Sequence, residues 1–148
     1  MTKVLAASSG GGHLEQMALI AAAFDGCETI FATPATGQAR HLGLGDAIAI
    51  PDCNLTQPLR ALWCLCVTFS LVRRTRPDVV VTTGAAPGFF CLFWAHFMGA
   101  RTLWIDSVAN AESLSLSGRL ARRFADRCLT QWEDLADPSR IEFAGSVL

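Results

Sequence analysis

Apolar and polar positions fall in blocks along the chain, and the period of each block predicts an element. Residues 3–8 form a short apolar run broken by three glycines; Leu14, Met17, Ile20, Ala21 and Phe24 then recur at spacings of three and four, the stripe of an amphipathic helix. Residues 29–33 read as a second strand stopped by Pro34, and 47–50 as a third closed by Pro51. A long helix over 55–74 ends before Pro77, and residues 78–83 (DVVVTT) have the composition of a strand buried on both faces of a parallel sheet. Gly84-Ala85-Ala86-Pro87-Gly88 makes a second glycine turn, leading to an apolar helix over 89–98 and a strand over 101–106. A helix over 117–124, a strand over 127–130, a helical turn over 132–135 and a last strand over 141–143 follow. This alternation predicts an α/β fold, a doubly wound, mostly parallel Rossmann-like sheet forming a single domain over residues 1–148.

Composition sharpens that picture in two places. With 51% apolar and 17% charged residues the chain is not disordered, and part of its apolar excess must face a partner or a membrane. Its 12 basic and 13 acidic residues give a net charge of −1, which leaves no global field for nucleic acid. The arginines cluster as Arg60/Arg73/Arg74/Arg76 and Arg119/Arg122/Arg123/Arg127, while Lys3 is the only lysine, which excludes a Walker A phosphate loop. Six cysteines without C-x-x-C spacing read as reduced core thiols rather than a disulfide frame or zinc site, which points to the cytosol. No metal or cofactor is expected, and the amino-terminal apolar run is too short for a signal peptide or a membrane span.

Ligands of open parallel sheets bind beyond the carboxyl ends of the strands, where strand order reverses. Three segments fall there. Ser8-Ser9-Gly10-Gly11-Gly12-His13 allows close backbone approach and opens a helix whose free N–H groups suit a phosphate, although a plain strand-to-helix turn would look the same. It is not a dinucleotide fingerprint: Glu15 stands where a small residue is needed, and the second strand ends in Ala32-Thr33-Pro34 without the ribose-binding acid. The second segment is Thr82-Thr83-Gly84-Ala85-Ala86-Pro87-Gly88, a turn at the same end of a central strand. The third is Asp106-Ser107, where a strand-end carboxylate can serve as general base or can cap the next segment or pair with an Arg. His13 is a candidate partner for phosphate or hydroxyl, His96 reads as a core or interface histidine, and Ser113/Ser115/Ser117 as a helix entrance. Residues 61–72 are apolar nearly all round but too short to span a bilayer; Trp63 and Phe69, with Arg73 and Arg74 after them, fit a helix lying in a headgroup layer, or equally one packed on the sheet.

The stretch 105–120 (IDSVANAESLSLSGRL), with Ala125-Asp126-Arg127 and Gln131-Trp132-Glu133-Asp134-Leu135, resembles the oligosaccharide-biosynthesis family of asparagine-linked-glycosylation protein fourteen, whose bacterial relatives make capsule and exopolysaccharide. Ser9-Gly10-Gly11-Gly12-His13 and Phe143-Ala144-Gly145 extend the resemblance over essentially the whole chain. It implies the amino-terminal, acceptor-binding half of a split GT-B glycosyltransferase, in which a separate donor-binding subunit of carboxyl-terminal type holds the UDP-sugar. The acceptor implied is a polyprenyl-diphosphate-linked saccharide, with Ser9, Gly10, Gly11, Gly12, His13 and Gly84 at its diphosphate and Asp106 and His13 as catalytic residues. Two departures stand out. Eukaryotic members carry a membrane anchor before the glycine loop, whereas this chain starts at the strand, so a peripheral hold on the cytoplasmic face is expected. Where the family commonly shows Glu-Ser-Phe-Ala-Arg, Asp106-Ser107-Val108-Ala109-Asn110 stands here. The resulting expectation is an inverting transferase subunit, active only with its partner and using UDP-GlcNAc or UDP-glucuronate; the alternatives are a non-catalytic membrane scaffold and a flavodoxin-like small-molecule-binding protein.

Overall fold

A computed structural model describes residues 1–147. Seven strands, β1 (Lys3–Ala7), β2 (Glu28–Thr33), β3 (Ile48–Ala49), β4 (Val79–Thr82), β5 (Arg101–Ile105), β6 (Arg127–Thr130) and β7 (Glu142–Phe143), form one sheet in the order β3-β2-β1-β4-β5-β6-β7. Among the described residues every pairing between these strands is parallel, so the doubly wound sheet is as expected. Strand order reverses between β1 and β4, which run in register from Val4 opposite Val79 to Ala7 opposite Thr82.

Period-two alternation builds a core on each face. Leu5, Ala7, Val80 and Trp104 point to one side, against the helices α3 (Pro58–Thr75), α4 (Ala85–Phe97) and α5 (Leu116–Ala121). Val4, Ala6, Val81 and Ile105 point to the other, against α1 (Gly12–Ile20) and α2 (Thr36–His41).

Several expectations change in detail. The stripe of the first helix ends in a 3₁₀ turn over Ala21–Phe24, and α2 has no counterpart in the sequence reading, being six residues without an apolar period. The fourth helix begins at Ala85 rather than at residue 89, because a proline three residues into a helix loses no hydrogen bond that the first turn could have made. His96 is exposed and lies edge-on to Phe97 and Phe124, so it is not a core residue. Cys53, Cys64, Cys91 and Cys128 are buried free thiols as expected, but Cys66 is exposed and Cys27 half-buried. Ser115 does open a helix: it caps α5, its hydroxyl accepting the Gly118 N–H.

Candidate functional site

The loops that follow β1 and β4 meet at the point where strand order reverses. Gly11 needs a positive φ of 67°, and its N–H and C=O are both held by the Gln38 side chain on α2, at 2.8 and 3.1 Å. A Cβ at Gly10 would stand 2.8 Å from that of Ala35, so the loop lies flat on the α2 side. The Ser9 hydroxyl donates to the Gly10 carbonyl at 3.4 Å. Leu14 and Glu15 return their N–H groups to the Gly11 carbonyl, closing the first turn of α1.

His13 is the point of contact between the two glycine loops. Its Nδ1 lies 3.0 Å from the Thr83 carbonyl, and the Thr83 hydroxyl donates back to the His13 carbonyl at 2.6 Å. A carbonyl can only accept, so Nδ1 carries the hydrogen and, in the neutral ring, Nε2 is left with a lone pair. Gly84 is buried at φ 133°, and a Cβ there would fall 2.5 Å from His13 Nδ1. The second loop therefore serves to seat the imidazole.

Asp106 ends β5 at 1% exposure. Oδ1 accepts from the Trp104 indole N–H at 3.0 Å and the Ser115 hydroxyl at 2.8 Å; Oδ2 accepts from the Asn110 amide and the Ser115 N–H, each at 3.2 Å. A Cβ at Gly118 would stand 2.5 Å from Oδ1. The carboxylate thus draws residues 107–115 back over the strand end, with no face toward solvent.

Two buried glutamines join these parts. Gln16 on α1 donates to the Gly12 carbonyl and the Ser107 hydroxyl, at 3.2 and 3.1 Å, while its oxygen accepts from Val108 N–H at 3.1 Å and the Gln131 amide at 2.6 Å. Gln131 also donates to the Asp106 carbonyl at 3.0 Å, and its oxygen accepts the Val147 N–H at 3.1 Å. The first glycine loop, the 107–110 loop and the carboxyl-terminal segment form one hydrogen-bonded body. A cavity of about 370 Å³ opens beside it, between α1 and residues 107–109, with His13 in its wall. A cavity of about 530 Å³ lies at the opposite, amino-terminal ends of β4 and β5 against Val72, Arg76 and Met98, and none of these loop residues lines it.

The lipid-directed candidates lie apart from this body, on α3. That helix buries Cys64, Thr68, Leu71 and Val72 and receives the Trp94 indole N–H at the Leu65 carbonyl, 2.9 Å away. Its outer face leaves Leu59, Leu62, Trp63 and Phe69 exposed, with Arg73 and Arg74 at its end. Packing and exposure are therefore shared between two faces of one helix. Among the described residues, no helix is long and apolar enough to cross a membrane, and no three His, Cys, Asp or Glu side chains are grouped to hold a metal.

Gln16, Gln38 and Gln131 were not predicted as site residues, and Thr83 entered only as part of the turn that carries Gly84. Isolated polar side chains on a helix or at a strand end look solvated in a sequence, and only the tertiary contacts bury three of the four.

The strand order, with paired glycine loops at its switch point, is that of a doubly wound domain of the kind found in the amino-terminal half of GT-B proteins. The same fold occurs in Acinetobacter baumannii MurG, with a TM-score of 0.76 at 13% identity over 95% of this chain and 45% of that one. Staphylococcus aureus MnaA, in its UDP co-structure, gives 0.77 at 11% identity over 99% and 46%. Residues 32–147 match the family described as oligosaccharide biosynthesis protein Alg14 like, and the chain belongs to that family. The "UDP-N-acetylglucosamine transferase subunit ALG14" of Eremothecium gossypii is 37% identical over 115 residues, 70% of this chain and 48% of that protein. Its Schizosaccharomyces pombe counterpart is 38% identical over 104 residues, 63% and 49%. The chain spans about half the length of the curated relatives it matches.

Proposed function

We propose that the chain is the acceptor-side subunit of a two-component, inverting UDP-sugar glycosyltransferase acting in polysaccharide or lipid-linked oligosaccharide synthesis. A donor-binding subunit of GT-B carboxyl-terminal type holds the UDP-sugar and faces the glycine loops, which present a polyprenyl-diphosphate-linked saccharide. The observation that carries this reading is the match of residues 32–147 to the family described as oligosaccharide biosynthesis protein Alg14 like, and the likeness of its fold to part of MurG and of MnaA fits it. The naming of its relatives as subunits of a UDP-N-acetylglucosamine transferase supports it and favours UDP-GlcNAc as donor.

Of the two catalytic candidates, His13 is the proton acceptor in this reading. Its Nε2 is free by the tautomer that Thr83 imposes, whereas both Asp106 oxygens are already engaged. The acceptor oxygen attacks the anomeric carbon, the bond to UDP breaks on the opposite face, and the hydroxyl proton passes to Nε2. Asp106 fixes the loop over residues 107–115, and alignment of the two substrates across the cleft supplies much of the rate. The diphosphate lies at the start of α1, near Ser9, Gly10 and Gly12; Gly11 contributes shape, since its N–H is taken by Gln38. The outer face of α3, with Trp63, Phe69, Arg73 and Arg74, rests on the cytoplasmic face of the membrane.

The test is co-expression with a donor-binding half and assay of labelled sugar transfer to a polyprenyl-diphosphate saccharide, each subunit alone serving as control. Transfer is expected from the pair only. Transfer by this chain alone, or none by an assembled pair with any UDP-sugar, overturns the reading.

A further inference from the structure

We propose that the cavity beside His13 is the seat of the acceptor's sugar ring and that Glu15 makes it selective for an uncharged sugar over a uronic acid. This rests on the acceptor-side reading above. The cavity, about 370 Å³, is at the small end of the range for ligand sites, roughly 300 to 1,000 Å³, and suits a monosaccharide-sized group. Leu19, Val108 and Ala109 give it an apolar wall, and four polar side chains also line it: Gln16 and Ser107, which are bonded to each other, and His13 and Glu15. A sugar ring has the matching halves: a C–H face for the apolar wall and a rim of hydroxyls for the acceptors. Leu19, in the last turn of α1, is 60% exposed, which leaves apolar surface for a ring to cover.

The charge of the cavity decides what the ring can carry. No Lys or Arg lines it, and Glu15 takes part in none of the ion pairs among the described residues. Its place in the first turn of α1 lets the helix dipole support the carboxylate without a cation. An ionised carboxylate accepts two hydroxyl donors and repels a second carboxylate or a phosphate. At contact distance near a protein surface that repulsion is worth a factor of about ten or more in affinity. The diphosphate consequently lies outside the cavity, and the ring inside it is neutral.

The test is an amide NMR titration of the full chain with the methyl β-glycosides of N-acetylglucosamine, glucose and glucuronic acid. The neutral glycosides are expected to shift Gly12, His13, Glu15, Val108 and Ala109, and the uronate to bind at least about tenfold more weakly. Glu15→Gln should bring the uronate level with the neutral sugars, and Glu15→Lys should reverse the order. Because Glu15 is exposed, both variants should stay folded, with only the small fall in melting temperature that follows from losing a favourable charge at the start of α1. Leu19→Asp should weaken the neutral glycosides without touching Glu15. Shifts confined to other residues, no shifts at the highest soluble concentration, equal binding of neutral and acidic sugars by the wild type, or selectivity unchanged in Glu15→Gln would each overturn the proposal. A chain that selects neutral glycosides but gives no transfer with any partner would support this inference while defeating the transferase reading.

Discussion

Replacing Asp106 by Asn separates a carboxylate that organises a loop from one that takes a proton. The substitution keeps the shape but turns one acceptor oxygen into an N–H donor. If the new amide replaces Oδ1, it confronts the Trp104 indole N–H; if it replaces Oδ2, it confronts the Ser115 N–H. The Ser115 hydroxyl and the Asn110 amide can reorient, but neither the indole nor the backbone N–H can, so one buried donor is stranded whichever way the side chain turns. A hydrogen bond to a charged group contributes about 1.5–3 kcal/mol, and a stranded buried donor costs about 1–3 kcal/mol. Relief from burying a charge offsets part of this, leaving a net loss of about 2–4 kcal/mol. For a chain of this size that lowers the melting temperature by roughly 5–15 °C. Urea unfolding of wild type and variant, with equal m-values, checks it. A variant within about 0.5 kcal/mol of wild type that nonetheless lost sugar transfer would refute the reasoning and restore Asp106 as the base.

Three further outcomes are expected. Gly84→Ala forces a Cβ into the His13 ring at an unfavourable φ, so it should cost about 1–3 kcal/mol and move the His13 imidazole resonances; unmoved resonances would mean that the second loop does not seat the ring. Burial pushes the Cys91 and Cys128 thiols from the ordinary 9.0 up to about 12, so between those values the unfolded chain has lost protons that the native chain keeps. Stability should therefore be unaffected below pH 9 and fall above it by about 1.4 kcal/mol per pH unit for each thiol, and Cys91→Ala should remove one thiol's share of that slope in urea titrations under reductant. Removing Arg73 and Arg74 together should weaken binding to anionic vesicles roughly 30-fold, at about 1 kcal/mol each, with undiminished flotation counting against the α3 face as the lipid contact.

The sheet was legible because buried parallel strands are short β-branched runs whose ends are marked by glycine or proline, as at residues 78–83 and Gly84. Helix α2 was not legible: Thr36–His41 buries only Ala39, and one buried residue makes no period. The site divides the same way. Gly10, Gly11, Gly12 and His13 are contiguous and carry their own signal, and the structure places them together with Gly84 at one edge. Gln16 and Gln131 do not, because their partnership is a property of three strand ends meeting in space. Asp106 was located correctly at its strand end, but its engagement by Trp104 and Ser115 depends on a chain reversal that no local pattern encodes.

The bond between Gln16 and Gln131 links positions 115 residues apart, and Gln131 in turn grips Val147. A pull on the backbone at Val147 is consequently felt by the helix that bears His13.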